Sequence, residues 1–197
     1  MKYSEPSWKS YMVKTTEPIF TPEQCEIISK LGRAMPPQNA QIGVGSGSGV
    51  GVHDTKTRIS HISWIPFNQP DSIPMYKKLE ETMYQTNRRH FGFENMAISE
   101  QAQYTEYPEG GFYDWHMDCD LVMAKEPPVR KISMTLVLSH DSEFEGGGLE
   151  LGKPGNILKP EQGHAIFFAS FINHRVVPIT KGLRKSLVMW FGGEPFK

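Results

Sequence analysis

The sequence predicts an α+β, mainly β fold: a β-sandwich or jelly roll with early helices packed on one face. Three observations lead there. Helical periodicity is confined to the first half of the chain, the sequence from Ala97 onward breaks into short strand-like runs, and Gly and Pro separate those runs. At 197 residues the chain fits a single domain, 1–197, with helical support over about 17–95 and a β core over about 97–192.

The first helix opens at Thr21, a capping residue followed by Pro22 at the first helical position; Ile27, Ile28 and Leu31 give it an apolar face. Gly32 and the pair Pro36-Pro37 end it. A second helix is expected from about Pro74 to His90, with Met75, Leu79 and Met83 one turn apart and Gly92 as terminator. Between the two lies Gly43–Gly51, with glycine at every second position and no Lys-Ser/Thr ending. It is therefore not a phosphate loop and reads as a flexible surface loop or, more sharply, a lid over a site.

Strands are expected at Ala97–Tyr104, Phe112–Met117, Ile132–Leu138, Leu149–Leu151, Ala165–Phe168, His174–Val177 and Lys185–Phe191. The run from Ser133 to Leu138 has the alternation of a half-buried strand. No repeats are visible, and no second domain is expected.

Composition narrows the function classes. With 21 basic and 22 acidic residues, and Arg88-Arg89 only a doublet, no basic stripe marks a nucleic-acid reader. Two distant cysteines, Cys25 and Cys119, make neither a disulfide framework nor a zinc knuckle and suit a reducing compartment. No run approaches the ~18 apolar residues of a membrane span. Met1–Ser10 lacks the apolar centre of a signal peptide. The expectation is a soluble, cytoplasmic protein without membrane or nucleic-acid partners.

Chemistry is concentrated around His116-Met117-Asp118. On an extended segment, side chains two apart share a face, so His116 and Asp118 can share a metal ion. His174, at the head of another expected strand, supplies a third ligand. Two histidines and one carboxylate form the facial set of non-haem Fe(II) oxygenases, which leaves positions for a keto acid and dioxygen. Arg184, ten residues beyond His174 and on the next strand, offers a fork for the far carboxylate of 2-oxoglutarate. Pro178 and Gly182 supply the turn between the two strands.

These residues together resemble the prolyl 4-hydroxylase branch of the 2-oxoglutarate/Fe(II) dioxygenases, including the PKHD-type hydroxylases. The shared pattern is H-x-D, then about 55 residues, then H-x-V-x-P and G-x-R-x-S-x-x-x-W, ending here at Trp190. Upstream, Tyr107-Pro-Glu-Gly resembles the family's turn into the ligand strand, and Arg58 to Trp64 resembles its R-x₅-W strand. The resemblance implies a double-stranded β-helix (cupin-like) core with supporting N-terminal helices. It also implies Fe(II), 2-oxoglutarate and dioxygen as reactants, with ascorbate as a reductant. The implied reaction is hydroxylation of a C–H bond with release of succinate and carbon dioxide, on a proline-containing peptide or protein. Under it, Tyr107 faces the keto acid; Tyr113, Arg58 and Trp64 face the substrate; and the hydroxyl that assists Arg184 is to be sought among Ser133, Thr135 and Ser186.

The other histidines read as ordinary. His53 and His61 serve surface or substrate-side roles equally well, His90 ends a helix, His140 sits in a polar turn, and His164 is structural. Cys119 reads as a buried thiol, and Trp115, Trp190 and Phe191 as core. The rival readings are a free amino acid or metabolite as substrate, a zinc hydrolase, and a non-catalytic β-sandwich binding module. A hydrolase has no use for Arg184 and lacks an H-E-x-x-H helix. A degraded binding module would be expected to have lost part of the set.

Overall fold

The structure, a computed structural model, describes residues 10–39, 55–119 and 126–196. The glycine-rich segment read as a loop or lid and His53 fall outside the described residues. In chain order the elements are β1 (Met12–Lys14), α1 (Pro22–Ala34), β2 (Gln38–Asn39), β3 (Arg58–Ile59), β4 (His61–Ile65), α2 (Ile73–Thr86), β5 (Ala97–Ile98), β6 (Ala102–Tyr107), β7 (Phe112–His116) and β8 (Val129–Val137). There follow β9 (Phe144–Gly146), β10 (Leu149–Leu151), β11 (Ile157–Leu158), β12 (Ala165–Ala169), β13 (His174–Val176), β14 (Ile179–Gly182) and β15 (Arg184–Gly193).

Both helices form where capping and periodicity place them. Thr21 accepts from the Gln24 amide while Gln24 returns a bond to the Thr21 amide, a reciprocal cap that satisfies two otherwise orphaned donors. α1 buries Cys25, Ile28, Ser29 and Gly32, positions of one helical face. Ile27 corrects the sequence expectation. It is 51% exposed, because it lies a full residue step from that face and only Ile28 turns inward. α2 buries Met75, Leu79 and Met83 as expected, and a π-helical turn over Asn87–Phe91 carries it on to Gly92, whose φ of 73° ends it.

A large antiparallel sheet runs β1-β12-β8-β15-β6-β4-β2, with β5 also on β15; a smaller one runs β11-β10-β13-β7-β3. β14 and β9 make a separate pair. The two helices cover the outer face of the large sheet. Ile132, Met134 and Leu136 of β8, Leu187, Met189 and Phe191 of β15, and Tyr104 of β6 meet Ile28, Leu79 and Met83 there in one apolar core. Full burial of Leu79 or Met83 contributes roughly 1.5–3 kcal/mol each. α1 crosses β6 so closely that a Cβ on Gly32 would fall 2.2 Å from Tyr104 Cγ. Tyr76 ties α2 to the sheet by donating to the Ile65 carbonyl at 2.5 Å and accepting from the Ala102 amide at 2.7 Å.

Alternation leaves the inner face of the large sheet to other residues. The small sheet packs Leu149, Leu151 and Val176 against Ile166 and Phe168 on part of it. The remainder of that face is a cavity between the sheets. This is the expected double-stranded β-helix arrangement with helical support. The long strand expected over Ala97–Tyr104 is instead two, since Ser99–Gln101 leave the sheet between β5 and β6. No helix among the described residues is long and apolar enough to cross a membrane.

Candidate active site

His116 ends β7 and His174 begins β13, and the two are direct partners in the small sheet. Their rings lie 4.1 Å apart, centroid to centroid. Asp118 follows β7, its backbone held by the Asp118 and Cys119 amides, which both donate to the Ser170 carbonyl. His116 Nε2 is 3.7 Å from Asp118 Oδ1, and His174 Nε2 is 3.6 Å from Asp118 Oδ2. One ligand atom from each residue falls within 4.8 Å of the others, close enough to hold one metal ion.

The tautomers fit that use. His116 Nδ1 bonds the Asp114 carbonyl at 2.7 Å and His174 Nδ1 bonds the Ile172 carbonyl at 2.9 Å. A carbonyl only accepts, so each ring carries a proton on Nδ1 and turns its Nε2 toward Asp118. Burial, then repulsion from His174, pushes His116 down to about 3, so the imidazole is neutral, as a ligand must be. Burial alone would raise Asp118, but His174, His116 and the Ser133 hydroxyl hold it below its ordinary value. Two imidazoles that turn Nε2 to one point and a carboxylate match the facial donor set for Fe(II).

Arg184 opens β15 opposite Tyr107 of β6. It is only 2% exposed yet lines the cavity that holds the two histidines and Asp118. Its Nη1 donates to Ser186 Oγ at 3.2 Å, and its guanidinium lies 5.4 Å from the Tyr107 ring. Burial depresses its pKa, and among the described residues no carboxylate pairs with it. Gly147 makes room for this stem: a Cβ there would fall 2.8 Å from Arg184 Cδ, at a φ of +62° that favours glycine in any case.

The remaining residues singled out in the sequence separate by position. Tyr107 and Thr135 line the cavity, and Ser186 is the hydroxyl brought to Arg184; Thr135 stands opposite Val188, one inward-facing position further along the strand. Ser133 serves Asp118 instead, donating to Oδ2 at 2.6 Å. Tyr113 stacks on His116 at 3.5 Å and 18°, with the Arg58 guanidinium 4.4 Å over its ring. Burial pushes the Tyr113 phenol up to about 12. Trp64 lines the cavity beside Trp190, their rings 6.1 Å apart.

His61 is exposed, His140 caps a 3-10 turn, and His164 meets Thr15, so none of the three joins the site. Cys119 is buried beside Asp118. Phe191 is core as expected, whereas Trp115 is half-buried under Arg175 at 5.1 Å.

Sequence reasoning missed Arg130 and the second role of Trp190, which is buried as expected of a core residue and also lines the cavity. Trp190 shares the inward face of β15 with Arg184, Ser186 and Val188 and lines the cavity; strand alternation from Arg184 would have found it. Among the described residues its buried Nε1 has no hydrogen-bond partner. Arg130 had no such signal. Phe191 pairs with Ile132 but Gly192 with Arg130, a bulge that turns Arg130 to the cavity side. Its guanidinium lies 3.9 Å over Trp190 and is gripped by both oxygens of Glu100.

Comparison with known proteins agrees with this geometry. Residues 102–192 match the 2OG-Fe(II) oxygenase superfamily. A PKHD-type hydroxylase of Teredinibacter turnerae is 30% identical over 128 residues, 61% of this chain and 57% of that protein. One from Colwellia psychrerythraea is 39% identical over 84 residues, 41% of this chain and 37% of that protein. The chain thus spans little more than half the length of these curated relatives, or less. Among solved structures, a Pseudomonas putida prolyl-4-hydroxylase superposes with TM-score 0.68 at 18% identity, covering 94% of both chains. A Trichoplax adhaerens prolyl hydroxylase, solved with a hypoxia inducible factor peptide fragment, gives 0.71 at 17% identity over 93% of this chain and 84% of that one. At such identities these two show the shared fold.

Proposed function

We propose that this protein, whose residues 102–192 match the 2OG-Fe(II) oxygenase superfamily, is an Fe(II)- and 2-oxoglutarate-dependent hydroxylase acting on a prolyl residue of a peptide or protein. The observation that carries the reading is Arg184, a buried cation without a carboxylate partner among the described residues, facing the same cavity as His116, Asp118 and His174. Burying an unpaired charge is costly unless a ligand neutralises it. A dicarboxylic keto acid does so while its other end reaches the metal.

When bound, the iron and keto acid supply oxidative C–H hydroxylation, in which 2-oxoglutarate and dioxygen become succinate, carbon dioxide and the new hydroxyl. The chain's own residues bind and orient. His116, Asp118 and His174 hold the metal; the Nδ1 bonds to Asp114 and Ile172 fix the imidazole planes, and Ser133 fixes the carboxylate. Arg184 anchors the distal carboxylate, with Ser186 setting its guanidinium and Tyr107 walling the same end. Thr135 lines the path between them. Tyr113, clamped between Arg58 and His116, limits the substrate's approach on one side, and Trp64, Trp190 and Arg130 receive it on the other.

The prolyl assignment rests on the relatives' names, on the Arg58–Trp64 strand and on the aromatic wall of Trp64 and Trp190. A hydrolase is disfavoured because Asp118, already a ligand, is the one carboxylate among the described lining residues, so no general base remains. The test is succinate release from 2-oxoglutarate by iron-loaded protein in air, with and without a proline-rich peptide. Stimulation by the peptide, with a mass gain of one oxygen on it, supports the full reading. Succinate without stimulation keeps the oxygenase and removes the prolyl substrate. No succinate from folded, iron-loaded protein overturns both.

A further inference from the structure

We propose that the substrate presents a carboxylate to Arg58, immediately beside the position that is oxidised; this rests on the oxygenase reading above. The described cavity lining carries three arginines, Arg58, Arg130 and Arg184, against the single carboxylate of Asp118. Arg130 is neutralised by Glu100. A divalent metal together with Arg184 balances Asp118 and the two carboxylates of the keto acid. Arg58 is left over.

Arg58 is 6% exposed, and its Nε is used on Ser60 Oγ at 2.8 Å. Among the described residues no carboxylate pairs with it, and it lines the cavity. The strand pairing that sets Arg58 opposite Tyr113 fixes this pose: guanidinium on phenol at 4.4 Å, phenol on the His116 imidazole at 3.5 Å. The free fork thus sits two stacked layers from a metal ligand. A neutral acceptor such as a peptide carbonyl would leave the buried charge uncompensated, whereas a carboxylate matches a guanidinium fork in both charge and shape. The anion belongs to the residue being hydroxylated or to its immediate neighbour. It is either a free α-carboxylate or the side chain of an adjacent Asp or Glu.

The test loads wild-type protein and Arg58→Gln with Fe(II) and 2-oxoglutarate without oxygen and first records the visible band of the chelate in each. Matched probes follow: N-acetyl amino acids as free acids and as amides, and capped peptides with Asp or Glu, or else Asn or Gln, beside each candidate residue. Their effect on the band gives the dissociation constants. We expect acid over amide by about tenfold or more for at least one probe pair. That preference is lost in Arg58→Gln and partly restored in Arg58→Lys. Preference confined to the N-acetyl series assigns a free α-carboxylate, and preference confined to the capped peptides assigns an acidic side chain. Amides that bind as well as acids, an acid preference that survives in Arg58→Gln, or no acid binding while the band is present overturns the proposal. A band missing from the wild-type protein overturns the oxygenase reading itself, and this proposal with it.

Discussion

Ser133 donates its hydroxyl proton to Asp118 Oδ2 at 2.6 Å and lies 2.9 Å from the Ser170 hydroxyl. A hydroxyl has one proton and a carboxylate only accepts, so the chain runs from Ser170 through Ser133 to Asp118. Both serines are fully buried. The carboxylate is thus oriented before any metal arrives. Ser133→Ala should weaken metal binding by about tenfold to a hundredfold, as loss of such supporting bonds commonly does. Ser133→Thr should keep most of the affinity. Titration calorimetry with Co(II) as the probe metal checks both.

His116→Ala and Asp118→Ala should each remove metal binding and turnover together. Either variant retaining activity with wild-type metal affinity would unseat that residue as a ligand. The same calorimetry, followed by the succinate assay, decides it.

Arg184→Ala should separate the two ligands. Its guanidinium touches no metal-site side chain and pairs with Ser186. Metal affinity should therefore hold while 2-oxoglutarate binding weakens by at least about a hundredfold, as loss of a charge-assisted pair in a buried site implies. Arg184→Lys should recover only part of this, since an ammonium lacks the two-pronged geometry. Equal collapse of metal affinity would show the assigned role to be wrong.

Away from the site, Glu106 accepts from Arg33 Nε at 2.7 Å and from the Tyr104 hydroxyl at 2.6 Å. Burial alone would raise its pKa, but these two donors hold it below the ordinary glutamate value. A depressed folded-state pKa stabilises above the unfolded value, and that contribution is lost as pH falls through the folded one. Glu106→Gln should cost about 1 kcal/mol at neutral pH, discounted for partial exposure. The gap to wild type should narrow as pH falls below the ordinary glutamate value and close once the folded-state carboxylate is protonated. Urea denaturation at several pH values measures it.

Much of this was legible because it is local. Thr21 and Pro22 announce α1, the four-residue step from Met75 to Met83 announces α2, and the two-residue spacing of His116 and Asp118 announces a shared ion, although Asp118 lies just past the end of β7. What stayed hidden depends on partners distant in sequence. Ile27 and Ile28 look equivalent until the sheet decides which one faces it. Arg130 reaches the cavity only through a bulge in β8 that no residue type signals. From the sequence Ser133 reads as a keto-acid hydroxyl, because β8 offers both Ser133 and Thr135 on one face and only the folded chain shows that Ser133 lies against Asp118.

The most direct measurement is anaerobic addition of Fe(II) and then 2-oxoglutarate to wild-type protein and to Arg184→Ala, following the weak visible band of the chelate. A band that saturates at one equivalent in the wild type, and needs far more keto acid in the variant, is the expected result. No band from folded, iron-loaded wild-type protein, or equal titrations in the two, would contradict a single site built from His116, Asp118, His174 and Arg184.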